Sequence, residues 1–118
     1  LSMLKKNGKI IFEIPNVADP LHSMYDIPAF EKFYWSIAHH WYFSFDSLAY
    51  VLKKLNHPYK ILLDQRYDLS NHLYWSKHHK PGGMGKYSRY IGKKVENNYK
   101  KILLKAGLCD TLIGVISK

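Results

Sequence analysis

Leu4-Lys5-Lys6-Asn7-Gly8-Lys9-Ile10-Ile11-Phe12-Glu13-Ile14-Pro15-Asn16 is the stretch that decides the class of fold. Leu1 and Leu4, followed by a basic pair and Gly8, read as the last turn of a helix with glycine in the left-handed position that ends it. The next run, Lys9 to Ile14, is short, β-branched and apolar on both parities until Glu13. That pattern is expected of a strand buried on both faces of a parallel sheet, and Pro15-Asn16 stops it. A helix that ends in glycine and leads into a buried strand is half of an α/β unit, so the expected class is α/β. A helix whose first turns precede Leu1 also implies that residues 1–118 are the C-terminal part of a single larger domain.

Further along, Pro20 and Pro28 break the segment from Val17 to Tyr34 into a loop and a short helix from about Ala29. Ser44 is the N-cap of the next helix, with Asp46 in its first turn and Leu48, Val51, Leu52 and Leu55 at helical spacing. Tyr59 to Tyr67 reads as a strand, and Asp68 to Trp75 as a turn leading into a helix. Loop is expected at His78 to Gly85. A longer helix is expected from Ser88 to Ala106, with Ile91, Val95, Tyr99, Ile102, Leu103 and Ala106 on one face and Gly107 ending it. Thr111 to Ile116 closes the chain as a strand.

The 118 residues amount to one compact domain at most. Hydrophobic residues make up 47% and aromatic residues 15%, enough apolar bulk for a core, which excludes a disordered or fibrous chain. Cys109 is the single cysteine, so no internal disulfide framework exists, and a reducing compartment fits. No apolar stretch nears the roughly 20 residues that span a bilayer. A soluble, cytoplasmic protein with no membrane span is the expectation.

The opening stretch resembles the "L-K-x-G-G-x-I-I-x-E-x-P-N" segment of class I S-adenosylmethionine-dependent methyltransferases, where it forms a helix, a turn and the fifth strand of a seven-stranded Rossmann-like sheet. His39-His40-Trp41-Tyr42-Phe43-Ser44 with Ser47-Leu48 is similar to the "H-x-x-Y-F-S-x-x-S-L" segment of the same family, in particular its sugar C-methyltransferase-like members. Gln65-Arg66-Tyr67-Asp68-Leu69-Ser70-Asn71-His72-Leu73-Tyr74-Trp75, with Pro81-Gly82-Gly83 and Asp110-Thr111-Leu112, is similar to a third pattern of one methyltransferase subgroup. The resemblance implies the C-terminal half of that sheet: its last three strands with their helices and a helical insertion. The family holds S-adenosylmethionine at a glycine-rich turn after the first strand and an acidic residue after the second. Both lie in the N-terminal half, so this chain is expected to carry no cofactor-binding residue and, alone, no activity.

What the chain supplies on this reading is the acceptor side. Glu13 and Asn16 leave the fifth-strand position at the carboxyl edge of the sheet, where ligands sit in such folds. Methyl transfer needs an acceptor that is deprotonated or oriented, and His39, which matches the family's histidine, is the expected general base. The sugar C-methyltransferases place a glutamate just before that histidine and a tyrosine upstream; Ala38 and Ser36 stand here, which leaves the acceptor atom open. Tyr42, Tyr67, Asn71 and His72 join Glu13 and Asn16 as acceptor-positioning candidates, aromatic faces suiting sugar C–H surfaces and polar tips suiting hydroxyls. Four have a structural alternative: Glu13 paired with a nearby lysine, His39 hydrogen-bonded beside aromatics, Asn71 and His72 capping a helix. The acceptor is expected to be a small molecule or glycan, a sugar or nucleotide-linked sugar included, and an anionic one fits the basic charge.

Seven histidines raise the question of a metal. The adjacent pairs His39-His40 and His78-His79 diverge on any regular backbone, so none is expected. The net charge of +9 is uneven, with nine basic residues against Glu96 alone between Ser76 and Lys105. That segment fits RNA phosphates, a diphosphate or the solvated face of a helix. A basic nucleic-acid-binding module and a non-catalytic methyltransferase-like scaffold are therefore the rival readings. The exposed edge of such a partial sheet is also expected to favour self-association.

Overall fold

The computed structural model describes residues 1–118. In chain order the elements are β1 (Lys9–Pro15), α1 (Pro20–Ser23), α2 (Pro28–Tyr34), α3 (Phe45–Lys53), β2 (Tyr59–Asp64), α4 (Leu69–His78), α5 (Ser88–Ile91), α6 (Lys93–Ala106) and β3 (Thr111–Ser117). The mixed α/β class is as expected; the sheet is antiparallel where a parallel one was expected. The terminal strand β3 lies in the middle, in the order β1-β3-β2, and pairs antiparallel with both neighbours. β1 and β2 consequently run in the same direction and end at the same edge of the sheet.

The register sorts the side chains. Phe12, Gly114 and Ile61 stand abreast, as do Ile10, Ile116 and Tyr59, and Ile14, Leu112 and Leu63. Leu48 and Leu52 of α3 pack on this face together with Cys109. A Cβ on Gly114 would lie 2.2 Å from the Phe12 ring, so glycine is what lets that ring lie flat across the sheet. The opposite face is open: Ile11 is 66% exposed and Leu62 51%. β1 is thus covered on one face only, and its outer edge is bridged only at its end, by Asn16 to Phe43. Its continuous apolar run gave no sign of this, because Ile11 is an apolar residue turned to solvent.

Two other expectations are corrected. Leu1 to Gly8 forms turns, with the Leu4 N–H on the Leu1 carbonyl and the Gly8 N–H on the Lys5 carbonyl, and Asn7 rather than Gly8 takes the left-handed φ of 64°. The helix expected from Ser88 to Ala106 is broken at Gly92, whose φ of 79° no helix accommodates. Within α6 the buried positions are Glu96 and Leu103, whereas Val95 and Ile102 face solvent. Glu96 is buried because it caps a neighbour: its carboxylate accepts the Leu69 N–H at 2.7 Å and the Ser70 N–H at 3.3 Å, at the start of α4.

Helix starts follow the sequence closely. Ser44 and Ser47 form a reciprocal capping box on α3, and Asp68 accepts the Asn71 N–H at 2.7 Å on α4. A second core forms where α1, α2 and α4 meet, from Leu21, Ile27, Phe30, Tyr34 and Trp75.

Candidate functional site

A cavity of about 690 Å³ opens at the edge where β1 and β2 end. Glu13, Ile14 and Pro15 come from β1, Arg66 and Tyr67 follow β2, Asp110 precedes β3 and Thr111 begins it. Asp19, Phe30, Phe33 and Tyr34 close the second side, Asn71 and Trp75 of α4 the third, and His39 stands at the exposed mouth. Pro81, Gly82 and Met84 reach it from the loop after α4. That loop is anchored to α4 by the Ser70 hydroxyl, which donates to the Gly83 carbonyl at 3.0 Å, and by the Gly85 N–H, which donates to Asp68 at 2.9 Å. Gly83 is needed for contact, since a Cβ there would sit 2.2 Å from that of Tyr74. The loop thus follows a helix and is tied back to its first turn.

Four of the seven expected residues line the cavity: Glu13, His39, Tyr67 and Asn71. Glu13 pairs with Arg66 at 2.5 Å, so it is ion-paired, with an arginine in place of the expected lysine. Asn71 is 3% exposed, yet its side-chain amide makes no hydrogen bond within the chain. His39 meets Tyr42 edge to face, ring centroids 6.0 Å apart.

Asn16, Tyr42 and His72 lie outside the lining. Asn16 is a pin: its amide nitrogen donates to the Cys109 carbonyl at 2.8 Å and its oxygen accepts the Ala18 N–H at 3.1 Å. Tyr42 donates to the Tyr34 carbonyl at 2.5 Å and accepts the Ser36 N–H at 3.1 Å, which fixes the chain after α2. His72 is 1% exposed, with Nδ1 at 2.7 Å from the Tyr99 hydroxyl, which in turn meets the Tyr25 hydroxyl at 2.7 Å. Its Nε2 is buried without a partner. Burial pushes the His72 imidazole down to about 4, the Asp68 carboxylate opposing the shift and Lys100 adding to it, so the ring is neutral at physiological pH.

Two carboxylates absent from the sequence reading of the site define its inner end. Asp110 accepts the Arg66 and Tyr67 N–H groups at 3.0 and 2.9 Å and the Thr111 hydroxyl at 2.7 Å, and so clasps the start of β3 to the end of β2. Burial still raises it above the ordinary carboxylate range. Asp19 is 3% exposed; Oδ1 accepts the Leu21 N–H at 2.8 Å, and Oδ2 has no hydrogen-bond partner. Burial pushes Asp19 up to about 7, the Leu21 N–H opposing the shift and Asp110 adding to it. Asp19 lies in the segment expected as loop, where it instead caps the short helix α1, and this hid the residue; Asp110 was visible only inside the Asp110-Thr111-Leu112 motif. No group of three or more His, Cys, Asp or Glu side chains is placed to hold a metal ion, and no helix is long and apolar enough to cross a membrane.

No protein-family model, no curated protein and no solved structure matches this chain.

Proposed function

We propose that the chain is the acceptor-binding, C-terminal side of an S-adenosylmethionine-dependent methyltransferase. One observation carries the reading beyond the motifs: β1 and β2 point the same way, and the cavity opens beyond their carboxyl ends, lined by the residues that follow each strand. Ligands in open α/β sheets occupy that place. The cofactor, when bound, supplies an electrophilic methyl group. The residues of this chain hold the acceptor: Asn71 offers a buried amide with both its oxygen and its nitrogen free, Tyr67 and Trp75 offer ring faces, and His39 at the mouth accepts the acceptor's proton. The Glu13–Arg66 pair fixes one side of the opening.

Calorimetric titration of S-adenosylmethionine into the protein at its native length tests the proposal. Binding is expected, and its absence overturns the reading. His39→Ala in the same protein is expected to lower kcat by about a hundredfold or more, and unchanged turnover removes the base assignment.

One surface favours a second reading. Lys94, Lys101 and Lys105 share an exposed side of α6, and Tyr90 before it is 84% exposed. Cations beside a free aromatic ring suit single-stranded RNA. That reading requires an RNA affinity that falls steeply with salt, and a flat titration at low salt dismisses it.

A further inference from the structure

The charge inside the cavity runs against the charge of the protein. Eighteen Lys and Arg residues give the chain its net +9, yet Arg66 is the single one that lines the cavity. Its guanidinium is already engaged, at 2.5 Å from Glu13 and 3.4 Å from Asp64. The inner end therefore holds two carboxylates, Asp19 and Asp110, and no cation. Asp110 has its oxygens occupied by the backbone clasp and Thr111. Asp19 keeps Oδ2 free, and Asn71 keeps its whole amide free, although each residue is 3% exposed. These unused polar atoms belong to two side chains that line the cavity and face its opening rather than sealed core, so they are available to a ligand that donates hydrogen bonds. The wall beside them is aromatic: Phe30 and Trp75 meet edge to face at 5.1 Å, and Phe33 stands 5.4 Å from Trp75.

A free carboxylate oxygen, a free amide oxygen and ring faces together form the surroundings that a desolvated ammonium group requires. We propose that the inner end of this cavity binds the ammonium group of an amine-bearing ligand, Asp19 and Asn71 taking its hydrogens and the Trp75 wall taking its apolar or ring-shaped body. The amine is the anchor, and the rest of the ligand reaches toward His39 at the mouth. This names the acceptor class of the methyl-transfer site and rests on that reading only in calling the ligand the acceptor. An anionic group does not suit the inner end, where it would meet Asp19 and Asp110; the basic α6 surface lies outside the cavity.

Around Asp19 the titratable groups are Asp110 at the start of β3, His22 on α1, Tyr34 on α2 and Tyr99 on α6, with Glu13, Arg66 and His39 farther along the cavity. Asp19 changes charge near pH 7, whereas an aliphatic ammonium stays charged from pH 6 to pH 8. Amine affinity should therefore rise through that interval with the ionised fraction of Asp19.

The test is a chemical-shift titration with 2-phenylethylamine, its uncharged twin 2-phenylethanol and the anionic 3-phenylpropionate, with no methyl donor present. At pH 8 the amine is expected to bind at least tenfold more tightly than the alcohol, with the carboxylate weakest. Between pH 8 and pH 6 the preference is expected to fall about tenfold, the change in ionised fraction for a group titrating near 7. Asp19→Asn keeps the oxygen that caps α1 and is expected to bind amine and alcohol alike at both pH values. Equal binding of amine and alcohol to the unaltered protein at pH 8, or an unchanged preference in Asp19→Asn, overturns the proposal. Should that variant fail to fold, the pH series on the unaltered protein decides by itself. Loss of S-adenosylmethionine binding would overturn the methyltransferase reading and leave the amine site standing, so the two fail separately.

Discussion

The two cores of this chain contain the same number of buried apolar residues and are built on opposite lines. Around the sheet, Leu48, Leu52, Cys109, Leu112 and Ile116 pack on one face, and its strands are cross-linked by ladder hydrogen bonds. Around α1, α2 and α4 the core is aromatic, with Phe30, Tyr34 and Trp75, and buried polar groups run beside it: Asp19, Asn71 and His72. A dry aliphatic core is the cheaper way to hold a fold, because each buried polar group must recover its lost hydration through hydrogen bonds. His72 Nε2 does not recover it, while Asp19 Oδ2 and the Asn71 amide, unpaired within the chain, face the cavity. The first core holds the scaffold; the second is kept polar because it forms the wall of a cavity.

The largest contrast should appear on truncation of the first core. Leu112 is fully buried, so Leu112→Ala is expected to destabilise by about 2–5 kcal/mol. Denaturant unfolding measures this, and amine preference should persist wherever the variant is folded. Altered preference at full folding would mean that the two cores are not separable.

Next comes His72, whose pH dependence opposes that of Asp19. Its folded value of about 4 lies below the ordinary 6.5, so the unfolded chain binds more protons between those limits. Its contribution is fully present above pH 6.5 and is lost as pH falls toward 4. His72→Phe should remove on the order of 3 kcal/mol of acid sensitivity in that window. Unchanged acid sensitivity in the variant would contradict a neutral, buried imidazole. A smaller effect belongs to the open side of the sheet. Ile11→Lys places a charge on the exposed face of an edge strand, so it should change folding stability by at most about 0.5 kcal/mol and suppress self-association in light scattering. A monomeric parent chain at tens of micromolar would remove that expectation.

Much of the architecture was legible from local chemistry. Ser44 and Asp68 announced their helices, Gly107 ended α6, and all three strands were placed within a few residues. Strand direction was not legible, because the apolar run Ile10 to Ile14 reads the same beside a parallel or an antiparallel partner. The cavity lining was legible where a residue's place follows from its position in the chain, as for Glu13 and Asn71 near strand and helix ends. Asn16 and Tyr42 fall outside that lining, because their polar tips turn inward to backbone partners 93 and 8 residues away. Asp19 stayed hidden because its burial and the charge of Asp110 beside it, 91 positions downstream in the sequence, are products of the fold.

The contrast between the two cores rests most heavily on Asp19, and the unfolding free energy of Asp19→Asn against the unaltered protein from pH 4 to pH 8 tests it directly. The folded value of about 7 lies above the ordinary 3.8, so the folded chain binds more protons in between, and the carboxylate's burden on stability grows with pH up to about 7. The two proteins should match near pH 4, and the variant should be the more stable by pH 8, on the order of 4 kcal/mol. A variant that is equally stable or weaker at pH 8 would make Asp19 an ordinary helix cap and remove the case for a charge held there for a ligand.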